Sequence, residues 1–430
     1  MKRIIAVLLC FAILFTLAGC KKGEEDISDE VQYEYIEEIE ETVGGEGTST
    51  QNGSSGDSNS TFEPDSTPSD STTTTNGTPI DYNTTAEIDI CTDVIRGYLE
   101  AKDPTQQFFF LDQYQYSTSE DYQNLDISWS NDGSSKYTIY ISEKADFSDA
   151  YITTIGATEG SVKDAICIPG KTYYWKAVGE KSNNPVGGGK FHVKDAPVRY
   201  IYLHGVGNVR DIGGWTTESG KKVPYGKIYR GKAINSITEN GLKTLKALNI
   251  KTEIDIRADR NNPSATPNSG LDYHYIQNVD LQYDYIFSSS RQQAAREYYK
   301  AVFNILSDPD SYPIYTHCTA GADRTGTLIF LLNGLLGVSY EDLTRDFELT
   351  SFSSSGKRWR GNGDGGTFAA NDLQMDVEGN YVAWGLLYNE MMTQYGTGDG
   401  KLSSAIERYL TTYAAVPQSQ INSFKQIMLG

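Results

Sequence analysis

The residues with the clearest chemical potential are Cys318 and Arg324, which are separated by five residues in the segment 312–326, YPIYTHCTAGADRTG. An apolar, strand-like run ends at the cysteine, and an apolar, helix-like run follows the arginine. A loop that closes on a helix N-terminus points unpaired N–H groups and the positive end of the helix dipole into one cradle. Such a cradle binds a phosphate dianion and also stabilises a thiolate, so Cys318 is predicted to be a nucleophile at neutral pH.

The neighbours of Cys318 suit the same chemistry. Arg324 offers a planar fork for two phosphoryl oxygens and for the charge that develops on them. Gly321 and Gly326 permit a close approach of the backbone, and Thr325 can donate its hydroxyl proton to the sulfur when the sulfur departs. A buried cysteine without a chemical role is the alternative, and the spacing of these residues argues against it. The predicted phosphate-binding loop comprises Thr319, Ala320, Gly321, Ala322, Asp323 and Arg324.

The segment 317–326, HCTAGADRTG, resembles the Cys-x5-Arg signature of the protein tyrosine phosphatase superfamily. It is most similar to the bacterial and fungal tyrosine/dual-specificity branch, written H-C-x-x-G-K-D-R-T-G. The segments GVGNVRDIGGW (205–215), IYRGKAIN (228–235) and LNIKTEIDIRADR (248–260) resemble the same branch, so that the likeness extends from 199 to 430. The resemblance implies an α/β domain that hydrolyses phosphomonoesters through a cysteinyl-phosphate intermediate, with no metal and no cofactor.

One position departs from the branch, because Ala322 stands where its members have lysine. In relatives that lysine is associated with phosphoinositide hydrolysis, so lipid-phosphate activity is put in doubt. The leading hypothesis is a protein tyrosine or dual-specificity phosphatase. An inositol-polyphosphate phosphatase is an alternative within the same class. A non-catalytic phospho-ligand-binding protein or adhesin is an alternative of another class, which the intact Cys318 and Arg324 disfavour.

A proton donor for the leaving group is predicted among the aspartates. Many phosphatases of the superfamily carry it on a separate upstream loop, which here offers Asp280 or Asp284 in NVDLQYDY (278–285). The branch that this chain resembles has an Asp inside the phosphate loop, matched by Asp323. Nearby thiolate or phosphate charge should raise the pKa of Asp323 toward a useful value. We therefore favour Asp323 over Asp280, with a structural role for Asp323 as the alternative.

Four further residues are predicted to support the site. Asp255 of EIDIR is a candidate for orienting the loop, and His317 precedes the nucleophile. For Arg210 and Asp211, an internal ion pair that holds the site is favoured over direct contact with the substrate.

The local pattern of the C-terminal region also favours an α/β fold. Ser236 and Glu239 form a capping box, and Leu242, Leu245 and Leu248 follow at helical spacing. The run 251–256 is typical of a strand, and 327–336 is typical of a buried helix that Gly337 ends. Helices that alternate with short apolar strands indicate an α/β architecture.

The middle of the chain has the pattern of a small β domain. Short alternating runs at 125–129, 136–141, 151–155, 172–178 and 190–193 are separated by turn residues. This spacing favours a β-sandwich, and the sequence of the region resembles a fibronectin type III-like domain. We assign it to residues 86–197, with a possible helix at 93–102, and the catalytic domain to 199–430.

The N-terminal region has the features of an exported lipoprotein. Lys2 and Arg3 precede an apolar run, which ends in Leu17-Ala18-Gly19-Cys20. This run fits a secretory signal and resembles a bacterial lipobox, which implies cleavage before Cys20 and a lipid on its sulfur. We therefore assign 1–20 to a signal peptide, 21–80 to an acidic and Ser/Thr-rich disordered linker, and the protein to the outer face of a bacterial membrane.

Composition limits the partners. The 430 residues carry a formal net charge of −20, which argues against non-specific binding to nucleic acid or to anionic lipid head groups. A phosphorylated protein or small phosphomonoester is the expected substrate, with membrane contact only through the lipid. No Cys or His spacing indicates a metal site. Cys91 and Cys167 could form a disulfide or remain free.

Overall fold

The computed structural model describes residues 80–114, 125, 127–157, 161–162, 166–181, 184–258, 270–356, 358–360 and 380–430. The predicted signal peptide, the lipidated Cys20 and nearly all of the linker lie outside these residues and stay predictions. In the described part of the chain, no helix combines the length and the apolar character needed to cross a bilayer.

In the described part of the chain, strands follow one another over 136–231, strands and helices mix over 239–335, and helices follow to the C-terminus. The strands are β1 Thr85–Ile88, β2 Lys136–Ser142, β3 Tyr151–Gly156, β4 Thr172–Gly179, β5 Pro185–Val193, β6 Arg199–Tyr200, β7 Arg210–Asp211, β8 Ile228–Gly231, β9 Thr252–Asp255, β10 Asp272–Tyr275 and β11 Ile314–His317. The helices are α1 Asp93–Glu100, α2 Pro104–Tyr114, α3 Glu239–Ala247, α4 Gln292–Leu306, α5 Asp323–Leu335, α6 Tyr340–Glu348, α7 Asn380–Tyr395, α8 Leu402–Arg408 and α9 Gln418–Leu429.

The C-terminal region contains a six-stranded sheet of order β10-β9-β11-β8-β7-β6. The pairs β10–β9, β9–β11 and β11–β8 are parallel, whereas β8–β7 and β7–β6 are antiparallel. The central strand β11 is buried at every position. Ligands of such sheets bind beyond the carboxyl ends of the parallel strands, and here that end of β11 leads directly to Cys318.

Helices cover both faces of this sheet. On one face, Leu245 of α3 packs with Tyr315 of β11. On the other face, Val302 of α4 and Ile329 of α5 pack in the cluster that contains Ile314. The predicted α/β architecture is therefore confirmed for the C-terminal region.

The elements that the sequence predicted around the site are present with small shifts. Helix α5 is buried on all sides over 325–335, as predicted, and Gly337 follows its end with a φ of +92°. The helix predicted after Ser236 begins later, at Glu239. Its N-cap is Thr238, whose hydroxyl accepts from the N–H of Gly241 over 3.3 Å, so the predicted cap at Ser236 is wrong.

The middle of the chain forms a five-stranded sheet of order β1-β5-β4-β2-β3 with its own hydrophobic cluster. The strands predicted at 136–141, 151–155, 172–178 and 190–193 are present. In the run predicted at 125–129, Leu125 makes an isolated bridge with Val162 and the described residues 127–129 form no strand. Among the described residues this region contains one sheet, whereas a sandwich requires two, so the fibronectin type III-like sandwich stays a prediction.

The buried residues of helices α1 and α2 belong to the hydrophobic cluster of the C-terminal region. Ile95, Tyr98 and Leu111 are at most 1% exposed and belong to the same cluster as α4 and α5. The predicted helix in 93–102 is therefore present. The sequence assigned it to the β domain, but its contacts lie in the core of the predicted catalytic domain.

Arg199 links the five-stranded sheet region to the six-stranded sheet. Its Nε donates to the carbonyl oxygen of Cys167 over 2.8 Å, and its Nη1 donates to Asp211 over 3.3 Å. Cys167 and Cys91 are buried thiols that form no disulfide, and burial raises the pKa of each to about 12. A disulfide between them, which the sequence left open, is absent from the described structure.

Candidate active site

Cys318 lies between the end of β11 and the start of α5, in the loop that the sequence predicted. Cys318 is only 2% exposed, so the nucleophile is recessed. Gly321 has a φ of +66°, and a Cβ there would lie 2.1 Å from the carbonyl oxygen of Gly231. Only glycine lets the loop turn this close to the end of β8.

The carbonyl oxygens of the loop are held from outside. Arg230 Nη2 donates to the oxygen of Gly321 over 2.7 Å. Asn208 Nδ2 and Ser355 Oγ donate to the oxygen of Ala320 over 3.1 and 2.8 Å. The N–H of Ala233 donates to the oxygen of Thr319 over 3.2 Å. Since the N–H of a peptide unit points away from its carbonyl, this arrangement leaves the loop N–H groups available to an anion at the N-terminus of α5.

Asp346 of α6 joins the two arginines behind the loop. Arg210 Nε donates to Oδ1 over 2.9 Å, and Arg230 Nη1 donates to Oδ2 over 2.5 Å. Burial raises the pKa of Asp346, but the charges of Arg210 and Arg230 outweigh it and hold that pKa below its usual range. Burial and the neighbouring Arg210 lower the pKa of Arg230 to about 10. Arg210 Nη1 also binds Asn208 over 2.6 Å, so these side chains form one buried frame for the loop.

Arg210 and Asp211 do not pair with each other. Arg210 supports the loop through Asp346 and Asn208. Asp211 instead accepts from Arg199 and from the N–H groups of Gly213 and Gly226, over 2.9 and 2.7 Å for the last two. Burial raises the pKa of Asp211. Both residues form buried ion pairs, and only the pair of Arg210 contributes to the frame of the loop.

Three buried polar atoms of Arg230, Arg324 and Thr325 have no hydrogen-bond partner among the described residues. These are Nε of Arg230, which lies in the frame of the loop, and Nη1 of Arg324 and Oγ1 of Thr325. A buried polar group without a partner costs free energy. Arg324 is the residue predicted to bind phosphoryl oxygens and Thr325 the one predicted to stabilise the departing thiolate, and an oxyanion bound in the loop would give Arg324 Nη1 a partner.

His317 is buried beneath the nucleophile. Its Nε2 lies 2.8 Å from Glu253 Oε1, and its Nδ1 lies 3.1 Å from the carbonyl oxygen of Cys318. Asp255 is its register partner on β9, with Oδ1 3.9 Å from Nδ1. Burial raises the pKa of Asp255, but its bonds to Arg257 outweigh this effect and lower it. Asp255 therefore lies beside the residue before the nucleophile at more than hydrogen-bond distance, and its role in orienting the loop stays a prediction.

Asp323 forms a two-point ion pair with Arg358. Arg358 Nε donates to Oδ1 over 2.8 Å and Nη2 donates to Oδ2 over 2.9 Å, while the Tyr283 hydroxyl also donates to Oδ1 over 2.5 Å. Burial raises the pKa of Asp323, but the bonds and charge of Arg358 outweigh burial and lower it. The expectation of a raised pKa for Asp323 is therefore wrong for this structure.

The alternative donors lie on the loop that leads to α4. Asp280 is exposed, has a φ of +60° and lies 3.5 Å from Arg291. Non-glycine residues with positive φ are uncommon and often lie at functional sites. Burial raises the pKa of Asp284. Tyr283 lies between them and reaches Asp323, so this loop contacts the phosphate-binding loop.

Several residues of the site were not found from the sequence. They are Asn208, Arg230, Glu253, Tyr283, Asp346, Ser355 and Arg358. Arg230 stands in a segment that resembles the family, which was the one available signal for its role. Asp346 is separated from Arg230 by 116 positions, and nothing in the sequence near it indicates the pair.

The parallel sheet, the recessed cysteine and the arginine at the start of α5 define a cysteine-based phosphatase domain. The sequence model of the tyrosine phosphatase family matches residues 201–430, more than half of the chain, and the chain belongs to that family. A tyrosine-protein phosphatase of Nostoc commune is 26% identical over 206 residues, 42% of this chain and 70% of that protein. A provisionally named tyrosine-protein phosphatase of Cupriavidus necator is 24% identical over 162 residues, 33% of this chain. The match spans 59% of the length of that relative.

Among solved structures, the core catalytic domain of the PP-IP phosphatase SIW14 from S. cerevisiae in complex with citrate is similar over 32% of this chain and 78% of that chain. Its TM-score is 0.23 and its sequence identity is 18%. Another structure of the Siw14 catalytic core covers 42% of this chain and 92% of its own, with a TM-score of 0.23 and 14% identity.

Proposed function

We propose that the protein is a protein tyrosine or dual-specificity phosphatase that works through a cysteinyl-phosphate intermediate. The observation that carries the proposal is the loop 318–324, which combines a recessed Cys318, carbonyl groups held from outside and a buried Arg324 Nη1 without a partner among the described residues. Together these groups suit a phosphoryl dianion that is attacked by sulfur.

In the first step, the Cys318 thiolate attacks phosphorus, an S–P bond forms and the ester P–O bond breaks. The loop N–H groups and Arg324 bind the phosphoryl oxygens, and they were positioned before the reaction by Arg230, Asn208 and Asp346. Charge stabilisation by groups that need no reorganisation is a principal source of catalysis.

In the second step, water attacks the phosphorus of the cysteinyl phosphate and gives a proton to the carboxylate that donated one in the first step. The S–P bond breaks and the electron pair returns to sulfur, which releases inorganic phosphate. To the Thr325 hydroxyl, which is buried without a partner among the described residues, we assign a hydrogen bond to the departing thiolate.

The leaving oxygen needs a proton, and Asp280 is our proposed donor. Asp323, favoured from the sequence, is engaged at both oxygens by Arg358, so its carboxylate is stabilised in the form that has no proton to give. Asp280 is exposed on the loop whose Tyr283 touches Asp323, and its ion pair with Arg291 is longer, at 3.5 Å. A positioned acid contributes roughly 10²–10⁴-fold to such a reaction.

The recessed nucleophile favours an aryl phosphate as substrate. Cys318 is 2% exposed, and a phosphotyrosyl ring carries its phosphorus further from the peptide backbone than a seryl ester does. Ala322 is fully buried and supplies no cation, which removes one charge that a highly phosphorylated ligand would use.

We further propose that the enzyme acts outside the cell, attached by a lipid on Cys20, with a fibronectin type III-like domain next to the catalytic domain. The lipobox-like run that ends at Cys20 and the five-stranded sheet support these two assignments.

A substrate panel tests the proposal. Phosphotyrosine and phosphoserine peptides, a phosphoinositide and an inositol polyphosphate are compared on the wild type, Cys318→Ser and Arg324→Ala. We expect the highest kcat/KM for the phosphotyrosine peptide and no turnover by Cys318→Ser. A preference for the inositol polyphosphate would replace the proposed substrate, and substantial activity of Cys318→Ser would reject the mechanism.

A further inference from the structure

The segment 358–360 connects the phosphate-binding loop to helices that lie outside the family-matched residues 201–430. At one end, Arg358 binds both oxygens of Asp323, over 2.8 and 2.9 Å. At the other end, Arg360 binds Gln107 of α2 over 2.5 Å. One short segment therefore joins the residue next to Arg324 to the N-terminal helix pair, α1 and α2.

Arg360 is fixed by a buried acceptor that α1 also contacts. Glu348 is fully buried, and its oxygens accept from Arg360 Nε and Nη2, each over 2.7 Å, and from the backbone N–H of Arg360 over 2.9 Å. The hydroxyl of Tyr98 in α1 donates to Glu348 Oε2 over 2.5 Å. Tyr98 and Gln107 are themselves 0% and 1% exposed, so the helix pair completes a closed polar network around Arg360.

Trp359 and Arg358, the other two residues of the segment, are also fixed by their contacts. The Trp359 side chain is 2% exposed, and its ring meets that of Phe108 in α2 edge-on, with centroids 5.2 Å apart. The hydroxyl of Ser351 binds both the N–H and the carbonyl oxygen of Arg358 over 2.7 Å. These contacts fix the backbone of the segment while α2 is packed against it. The Arg358 side chain therefore extends from a fixed backbone position.

We propose that the N-terminal helix pair is a positioning element for the phosphate-binding loop. It acts through Tyr98 and Gln107 on Arg360, and through Arg358 on Asp323. This inference rests on the proposed role of the loop in catalysis. None of these helix residues touches the reacting atoms; they set the position of the carboxylate beside Arg324.

The charge arrangement around Asp323 shows why its position matters. Asp323 begins α5 and faces Arg358, the Tyr283 hydroxyl and the adjacent Arg324. An ion pair with Arg358 satisfies the carboxylate on one side, so it does not compete with a bound phosphoryl group for the fork of Arg324. If Arg358 were displaced, the carboxylate would be free to turn toward Arg324, and small displacements of catalytic groups are costly.

A double-mutant cycle with the full chain tests the proposal. Gln107→Ala is made in the wild type and in Asp323→Asn, and kcat and KM are measured with 4-nitrophenyl phosphate. Gln106→Ala is the matched control, since Gln106 is the exposed neighbour on the same helix. We expect Gln107→Ala to lower kcat about tenfold with little change in KM. The same substitution should have almost no effect in the Asp323→Asn background, because coupled residues are non-additive.

Equal losses in the two backgrounds would overturn the proposal, since they would indicate general destabilisation. An unchanged kcat in Gln107→Ala would overturn it as well. If Gln107→Ala does not fold, Tyr98→Phe enters the same cycle, because it removes a single hydroxyl. The proposed function is judged separately: a wild type that turns over and an inactive Cys318→Ser support it whatever the cycle shows.

Discussion

Arg230 donates from Nη2 to the carbonyl oxygen of Gly321 over 2.7 Å, from the strand next to the one that ends at the nucleophile. Strands β8 and β11 are parallel, with Gly231 in register with His317. The loop is therefore tied to the sheet at its tightest turn, and its N–H groups point inward because its carbonyl groups are held from behind.

Replacement of Arg230 by lysine tests the hydrogen bond between Arg230 and Gly321. A lysine cannot contact Asp346 and Gly321 at once, so Arg230→Lys should weaken inhibition by phosphate and lower kcat/KM by about tenfold or more. Arg345→Lys is the control, because Arg345 pairs with Glu341 on the exposed side of the neighbouring helix. Equal inhibition constants for phosphate in wild type and Arg230→Lys would show that the loop holds its shape without Arg230.

Leaving-group dependence distinguishes the two candidate acids. Asp280→Asn should be strongly impaired with phenyl phosphate and much less with 4-nitrophenyl phosphate, whose leaving group departs without a proton. Asp323→Asn should lower both rates by a similar factor, because the ion pair of Asp323 with Arg358 positions the carboxylate beside Arg324 and gives no proton to either leaving group. The opposite pattern would restore Asp323 as the donor.

Stability in acid provides a separate test of the Asp323–Arg358 pair. The pKa of Asp323 lies below the usual 3.8 in the folded protein, so the pair contributes stability above that value, and the contribution disappears as pH falls through the lower, folded pKa. Urea unfolding of wild type and Asp323→Asn should differ at pH 7 and converge toward pH 3. A difference that stays constant over this range would show that ionisation of Asp323 does not contribute.

The nucleophile, its loop and the helix after it could be predicted because their signals are local. Strand β11, Cys318, Gly321, Arg324 and α5 lie in one short segment, and each residue type has a steric or electrostatic reason to be there. Helix α5, which is buried on all sides, and Gly337, which follows its end, could be predicted for the same reason.

The frame around the loop could not be predicted because its contacts join distant residues. Asp346 is 136 positions from Arg210, and Arg358 is 35 from Asp323. The pKa of Asp323 was misjudged for this reason, since the sequence showed the nearby phosphate site and not the arginine that binds the carboxylate. The packing of α1 against the C-terminal core could not be predicted for the same reason, because Tyr98 and Glu348 are 250 positions apart.

Trapping the covalent intermediate is the most direct test of the mechanism. The enzyme is mixed with a phosphotyrosine peptide, quenched in acid within one turnover, digested and analysed by mass spectrometry. We expect a phosphoryl group on the peptide that contains Cys318 in the wild type, an increased amount in Thr325→Ala because the thiolate departs more slowly, and none in Cys318→Ser. Turnover without any phosphorylated Cys318 peptide, or undiminished turnover by Cys318→Ser, would contradict the account.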